Sequence, residues 1–207
     1  QYLTRLLAEA PDRTKIRRLL AALHNEHDRP DKAEAVLREG VARTPSNVEI
    51  NLALARQIAR THGFERSRAF IEEALTKHPE QMALRFALAE LFQTMGQDSD
   101  AERVLRDLVD TDEATPDGLK AQQRLALLLA RAGQVDEAMK ILDGVIAVNA
   151  FERESLLLRS ALSLLQNDPQ TAILDLRTVL RDHPEDHRAQ LLLARAHVLN
   201  NEWEQAQ

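Results

Sequence analysis

Residues 48–81, VEINLALARQIARTHGFERSRAFIEEALTKHPEQ, decide the fold. They read as two helices joined at Gly63 and followed by Pro79. Working outward, Pro45 stands 34 residues before Pro79, and Pro11 another 34 before that. Pro116 follows Pro79 by 37 residues, and Pro184 lies 68 further on, twice 34. A fixed period in this range is the mark of a repeat array in which each unit is one supersecondary element. With each of these prolines taken as the last-turn marker of a two-helix unit, repeats start at Thr14, Val48, Met82, Leu119, Arg153 and His187.

The frame puts side chains of the same size at the same place. Position 8 of each unit is small: Ala21, Ala55, Ala89, Ala126, Ser160 and Ala194. So is position 20: Ala33, Ser67, Ala101, Ala138, Ala172 and Ala206. Position 24 is a large aliphatic at Leu37, Ile71, Leu105, Leu142 and Leu176. Position 7 is leucine at Leu20, Leu54, Leu88, Leu125 and Leu193, with Arg159 the exception. Two helices that cross closely need a small side chain at the contact and a large one beside it. Pro30 and Pro169 both fall at position 17, the start of the second helix, where a missing N–H has no partner to lose. Asp168 and Asp98 read as N-caps. Gly63, Gly96 and Gly133 sit in the turn between the helices, where a left-handed residue is useful.

On these small and large positions the chain resembles the tetratricopeptide repeat family over essentially its whole length. The family's Trp at position 4 is replaced by Arg17, Asn51, Arg85, Gln122, Leu156 and Gln190. Its Tyr at position 11 is replaced by His24, Ile58, Phe92, Leu129, Ser163 and His197. Such divergent, aromatic-poor arrays are of a bacterial type associated with envelope and assembly proteins. The resemblance implies an all-α fold, a right-handed superhelical α-solenoid of antiparallel helix pairs. The expected layout is one array over residues 1–207. In it, 1–13 is the second helix of a preceding repeat, 14–47, 48–81, 82–118, 119–152 and 153–186 are repeats, and 187–207 is a partial one. Both ends fall inside helical hairpins and neither shows a polar capping helix, so a slice of a longer protein is expected. Residues 110–119, DTDEATPDGL, hold the one length change, read as a tolerated loop insertion or a contact loop.

Composition narrows the function classes. The chain has no cysteine, hence no disulfide framework, thiolate chemistry or zinc ribbon. The longest apolar run, residues 125–130, is too short to span a bilayer, so no membrane insertion by this segment is expected. A net charge of −6 disfavours general nucleic-acid affinity, and the scarcity of aromatics disfavours RNA binding by stacking. His24 with His27, and His183 with His187, have metal-like spacing, but zinc needs continuous helix and further ligands, and Pro184 breaks the second pair. No phosphate loop or nucleophile motif is present. Neither a cofactor nor a metal nor an enzyme activity is expected. Bacterial periplasm or envelope is favoured over cytoplasm.

In the family the first helix of each repeat lines a concave groove through positions 2, 5, 9, 12 and 13. Carried over, the candidate partner-binding residues are Lys15, Arg18, Arg56, Arg60, Phe86, Glu90, Gln93, Gln123, Arg131, Leu157, Leu164, Arg188 and Arg195. Over the full set of such positions eight residues are basic and four acidic, on a chain of net charge −6. A basic groove on an acidic body steers an anionic ligand to one face. Arg56 and Arg60, one turn apart, suit one carboxylate or phosphate. The blander reading pairs these arginines with Glu49, Glu90 and their neighbours as a solvated helix face. The family's carboxylate clamp is not supported, because Ala22 stands where it needs Asn. Leu157, Leu164 and Leu165, continued by Leu191, Val198 and Leu199, read as an apolar stripe for a partner or as surface that a further repeat covers.

These features favour a non-catalytic scaffold that holds an extended or helical segment of a protein or peptide, acidic in character, within a bacterial envelope assembly. Two alternatives stay open: a scaffold for export of an anionic polysaccharide, and a regulatory module of an enzyme outside this segment. The frame itself predicts that Ala126→Leu, at a close crossing, destabilises by about 1–3 kcal/mol through overpacking. Thermal denaturation checks this, and an unchanged melting point contradicts the frame.

Overall fold

The computed structural model describes residues 2–9, 13–111 and 115–202. Among them the chain folds into helices alone: α1 Tyr2–Glu9, α2 Thr14–Glu26, α3 Pro30–Arg43, α4 Val48–His62, α5 Phe64–Lys77, α6 Met82–Thr94, α7 Asp98–Thr111, α8 Pro116–Arg131, α9 Val135–Val148, α10 Arg153–Leu165, α11 Pro169–Asp182 and α12 His187–Leu199. They form two compact units, Gln1–Val104 and Leu105–Gln207, so the division falls inside α7. In each unit successive helices pair antiparallel across short turns and pack on the next pair. Each is therefore a stretch of all-α solenoid.

Close crossing holds each pair. In the first unit Ala21, Ala33, Ala55, Ser67 and Ala89 are all buried beneath their neighbours. The Ser67 hydroxyl donates to the Ala55 carbonyl at 2.8 Å, which joins position 20 directly to position 8 of the same repeat. Only a small side chain leaves room for that contact. Stacking between repeats is as tight: a Cβ at Gly40 in α3 would come within 2.7 Å of Ile50 Cγ1 in α4. Ala206 lies outside the described residues, as does Pro11.

Turns repeat as well. Gly63, Gly96 and Gly133 have φ of 88°, 71° and 81°, and Asp28, Asn167 and Asn201 take the equivalent turns at 54°, 61° and 60°. Asp and Asn tolerate the left-handed region better than other side chains with a Cβ, so they replace glycine here. Pro45 and Pro184 lie just past the C-caps Thr44 and His183, as Pro79 does past His78. Pro116 departs from this pattern, because it opens α8 rather than closing the preceding unit. The Thr115 hydroxyl caps that helix by accepting from the Gly118 N–H at 3.2 Å. The fourth first-helix thus starts three residues before Leu119, absorbing length that the sequence assigned to a loop. Residues 112–114 of that loop lie outside the described residues. Asp98 also differs from expectation: it is the first residue of α7, and the preceding Gln97 carbonyl accepts from Ala101 N–H at 3.1 Å. Asp168 does cap α11, accepting from Thr171 N–H at 3.1 Å.

The missing position-4 tryptophan has a polar substitute. Asn51 is buried and its amide donates to the Pro45 carbonyl at 2.7 Å, while Gln190 donates to the Pro184 carbonyl at the same distance. Arg17 is buried in the first repeat, bound to the Val36 carbonyl at 3.2 Å and to Glu39 at 2.9 Å. These three side chains tie α2, α4 and α12 to neighbouring backbone by directed bonds where an indole would do so by area.

Arg159, the exception at position 7, is explained in the second unit. It holds Asp175 through two bonds of 2.7 and 2.9 Å and Asp143 through one of 2.7 Å. Asp175 is only 4% exposed. Its carboxylate, with that of Asp143, holds the Arg159 guanidinium protonated well above the usual range. The same two places in the preceding repeat are Leu125 and Ile141. The apolar contact has been exchanged for an ion pair, and breaking one side of such a pair strands a buried charge. Arg159→Leu is therefore expected to destabilise by about 2–4 kcal/mol, and adding Asp175→Val to recover most of the loss. Denaturant unfolding of the single and double variants checks this, and additive losses contradict it.

Asp186 caps α12, accepting from the N–H groups of Arg188 and Ala189 at 3.0 and 3.1 Å. The Ala189 bond, with Arg153 beside it, holds its carboxyl below the ordinary 3.8. A lowered carboxylate stabilises the fold above that ordinary value and loses the contribution as pH falls through its folded value. Asp186→Ala is expected to lose about 1 kcal/mol at pH 7, with the difference from the native chain closing below pH 3.8. Unfolding at the two pH values measures it.

Candidate functional site

In the first unit α2, α4 and α6 pack side by side as the first helices of successive repeats. Their exposed rows form two valleys. A pocket of about 270 Å³ lies between α2 and α4, floored by Ala21 and Leu37 and walled by Arg18, Arg56 and Arg60. A second, of about 190 Å³, lies between α4 and α6 with Ala55, Ser67 and Ile71 beneath it. Leu52, Phe64 and Ala87 line its apolar walls, and Arg56 and Glu90 stand on α4 and α6 at its sides. Both floors are made by the small position 8 and large position 24 of the crossing, so the packing rule that builds the repeat also leaves the pockets. Arg56 borders both valleys.

The cations here differ in how they are held. Arg18 is paired with Glu49 at 2.9 Å. Arg56 and Arg60 are exposed and have no hydrogen-bond or ion-pair partner among the described residues. Their helix is nevertheless fixed. Gln57, between them, exchanges amide bonds of 2.9 and 3.2 Å with Asn25 and donates to the Pro30 carbonyl. Beyond Arg60, Thr61 and His62 both reach the buried Glu34 of α3, at 3.1 and 2.9 Å. Burial raises the Glu34 carboxyl pKa, and the bonds from Arg38 and Thr61 more than reverse this, so it stays below the usual value. With α4 held in this way, only the two arginine side chains themselves have to be ordered when they grip an anion. Lys15 and Glu90 are exposed nearby, and Gln93 is half-buried.

Three predicted groove residues belong to the interior. Phe86 is 5% exposed, Leu157 is 0% and Leu164 is 6%. Leu157 and Leu164 join a core with Ala189 and Ala196 of α12, because the next first-helix covers that flank of α10. Gln123 is likewise occupied, donating to Glu152 at 2.6 Å and to Ser155 at 3.3 Å, and Glu152 itself caps α10. In the second unit Leu165 and Leu191 do reach solvent, at 69% and 73% exposed. Arg188 leans toward Glu154 at 3.5 Å, while Arg131 and Arg195 are exposed without a partner among the described residues.

Phe64 escaped the sequence reading. It occupies position 17, where other repeats carry Pro30, Asp98, Val135 and Pro169. An aromatic at a helix start was the available signal. α4 runs on to His62 and Gly63 alone makes the turn, which sets Phe64 at the pocket, 40% exposed. Among the described residues no group of His, Asp and Glu is arranged to hold a metal, and no helix is long and apolar enough to cross a membrane.

A tetratricopeptide repeat family model matches residues 1–56 and 163–207. A second, for the fourth ARM domain of tetratricopeptide repeat protein 21, matches residues 53–161, just over half of the chain. The chain belongs to the tetratricopeptide repeat family. No match is found among curated proteins. Among solved structures it is similar to a tetratricopeptide repeat protein from Parabacteroides merdae, at 15% identity and TM-score 0.64, covering 99% of this chain and 80% of that one. It is similar to YrrB, a tetratricopeptide repeat protein with an unusual peptide-binding site, at 16% identity and TM-score 0.55, over 91% of this chain and 96% of that one. It is also similar to PilW, a type IV pilus biogenesis factor, at 14% identity and TM-score 0.66, over 93% and 88%. At such identities the likeness is one of fold, a scaffold of tetratricopeptide repeats typical of protein–protein interaction.

Proposed function

We propose that this chain is a non-catalytic scaffold whose first unit holds an extended, acidic segment of a partner protein against α2, α4 and α6. The observation that carries this reading is the state of Arg56 and Arg60. Both are exposed, adjacent on one helical face and without a partner among the described residues, above pockets floored by apolar side chains. Arg18 on the neighbouring helix is already held by Glu49, whereas Arg56 and Arg60 are left to a ligand. Unpaired guanidinium groups over apolar floors suit a ligand with carboxylates and hydrophobic side chains, which is a peptide before it is a sugar polymer. The peptide-binding site of YrrB supports a peptide ligand, and the part PilW plays in pilus biogenesis supports a bacterial envelope assembly.

Selection of phage-displayed peptides on the native chain and on Arg56→Glu/Arg60→Glu tests this. The doubly reversed variant is expected to keep its stability within about 0.5 kcal/mol of the native chain, since neither residue has a partner to lose among the described residues. The native chain is expected to enrich peptides with Glu or Asp, and the variant to lose them. Equal enrichment on both overturns the reading.

A further inference from the structure

We infer that the two valleys of the first unit read a two-residue motif: a Glu or Asp and a Leu-like side chain three residues apart in a segment of polyproline II conformation. This rests on the reading above and names the ligand more closely. The acidic residue lies over the α2–α4 valley, against Arg56 and Arg60. The aliphatic one drops into the α4–α6 pocket, beside Leu52 and Phe64.

Size selects a single side chain. At about 190 Å³ the α4–α6 pocket falls below the roughly 300 Å³ at which small-molecule sites begin. Its walls are apolar, yet Arg56 and Glu90 oppose each other across it, both at position 9 of their repeats. One is a donor and the other an acceptor, and neither has a partner among the described residues. A helical ligand has already satisfied its backbone. An extended one offers a free C=O to Arg56 and a free N–H to Glu90 on either side of the buried side chain. That pairing commits the site to a segment with free backbone groups, which polyproline II has in every residue.

Spacing follows from the helices. Adjacent valleys are one helix apart, and packed helices lie about 8–10 Å apart. A polyproline II chain advances about 3.1 Å per residue and turns once every three residues, so two anchors three residues apart face the same surface about 9 Å from each other. A spacing of two or four misplaces one anchor by about 3 Å and turns it away from the surface.

The probe is a fluorescein-labelled peptide, Ser-Gly-Glu-Ser-Ser-Leu-Ser-Gly, and its reverse order, read by fluorescence polarisation on the intact chain. Companions carry the Glu and Leu two or four residues apart, Glu→Gln, or Leu→Ser. One order of the three-residue spacing is expected to bind about tenfold tighter than the other spacings and than either single replacement. Ala87→Leu, which fills the pocket from its half-exposed rim, is expected to abolish the preference for Leu and keep that for Glu. Arg60→Glu is expected to do the opposite. If all spacings bind alike but binding still needs Arg56 and Arg60, the motif is wrong and the scaffold reading stands. If binding ignores the arginines, or no peptide binds at about 1 mM where even a weak site gives about −4 kcal/mol, both fall.

Discussion

Everything in this chain depends on two helices crossing so closely that only a small side chain fits at the contact. The Ser67 hydroxyl on the Ala55 carbonyl shows how near the backbones lie, and Ala21 against Ala33 belongs to the same core in the preceding repeat. A pair that crosses this tightly buries its large position-24 residue and leaves one apolar flank for the next pair. Such units stack or do not fold, because none of them encloses its own core. Gly40 extends the rule to the junction between repeats, where α3 meets Ile50 of α4 without room for a methyl group.

The same constraint shapes the surface. In the first unit a small residue at the crossing and a large one behind it form the floor of both valleys between first helices, and the arginines that rim them are then free of packing duty. Arg56 and Arg60 show this freedom, standing without a partner among the described residues on a helix held by Gln57, Thr61 and His62 from its other faces. Stability and recognition are carried by different sides of one helix. That division lets a surface row vary in charge while the fold persists.

The crossing was legible from the sequence because it needs one size at one spacing, repeated. Left-handed turns were legible at Gly63, Gly96 and Gly133, and hidden at Asp28, Asn167 and Asn201, where the residue type also serves caps and solvent. The site was half legible. Arg56 and Arg60 follow from register alone, but Phe86, Leu157 and Leu164 share that register and are buried. Register fixes the angle around a helix, and whether a neighbour covers that angle is a property of the stack. Asp175 beside Arg159 was hidden for another reason: an ion pair replacing an apolar pair breaks the pattern at two places 16 residues apart, and each looks like noise alone. Phe64 depended on a one-residue shift of a turn, which no period reveals.

The most direct measurement is backbone amide NMR of the chain titrated with an oligoglutamate of about eight residues at low salt, where charge attraction is least screened. Shifts confined to α2, α4 and α6 around Arg56 and Arg60, and lost at high salt, are predicted. Shifts centred on the second helices or on the second unit, or none, contradict the claim that this face is the binding surface.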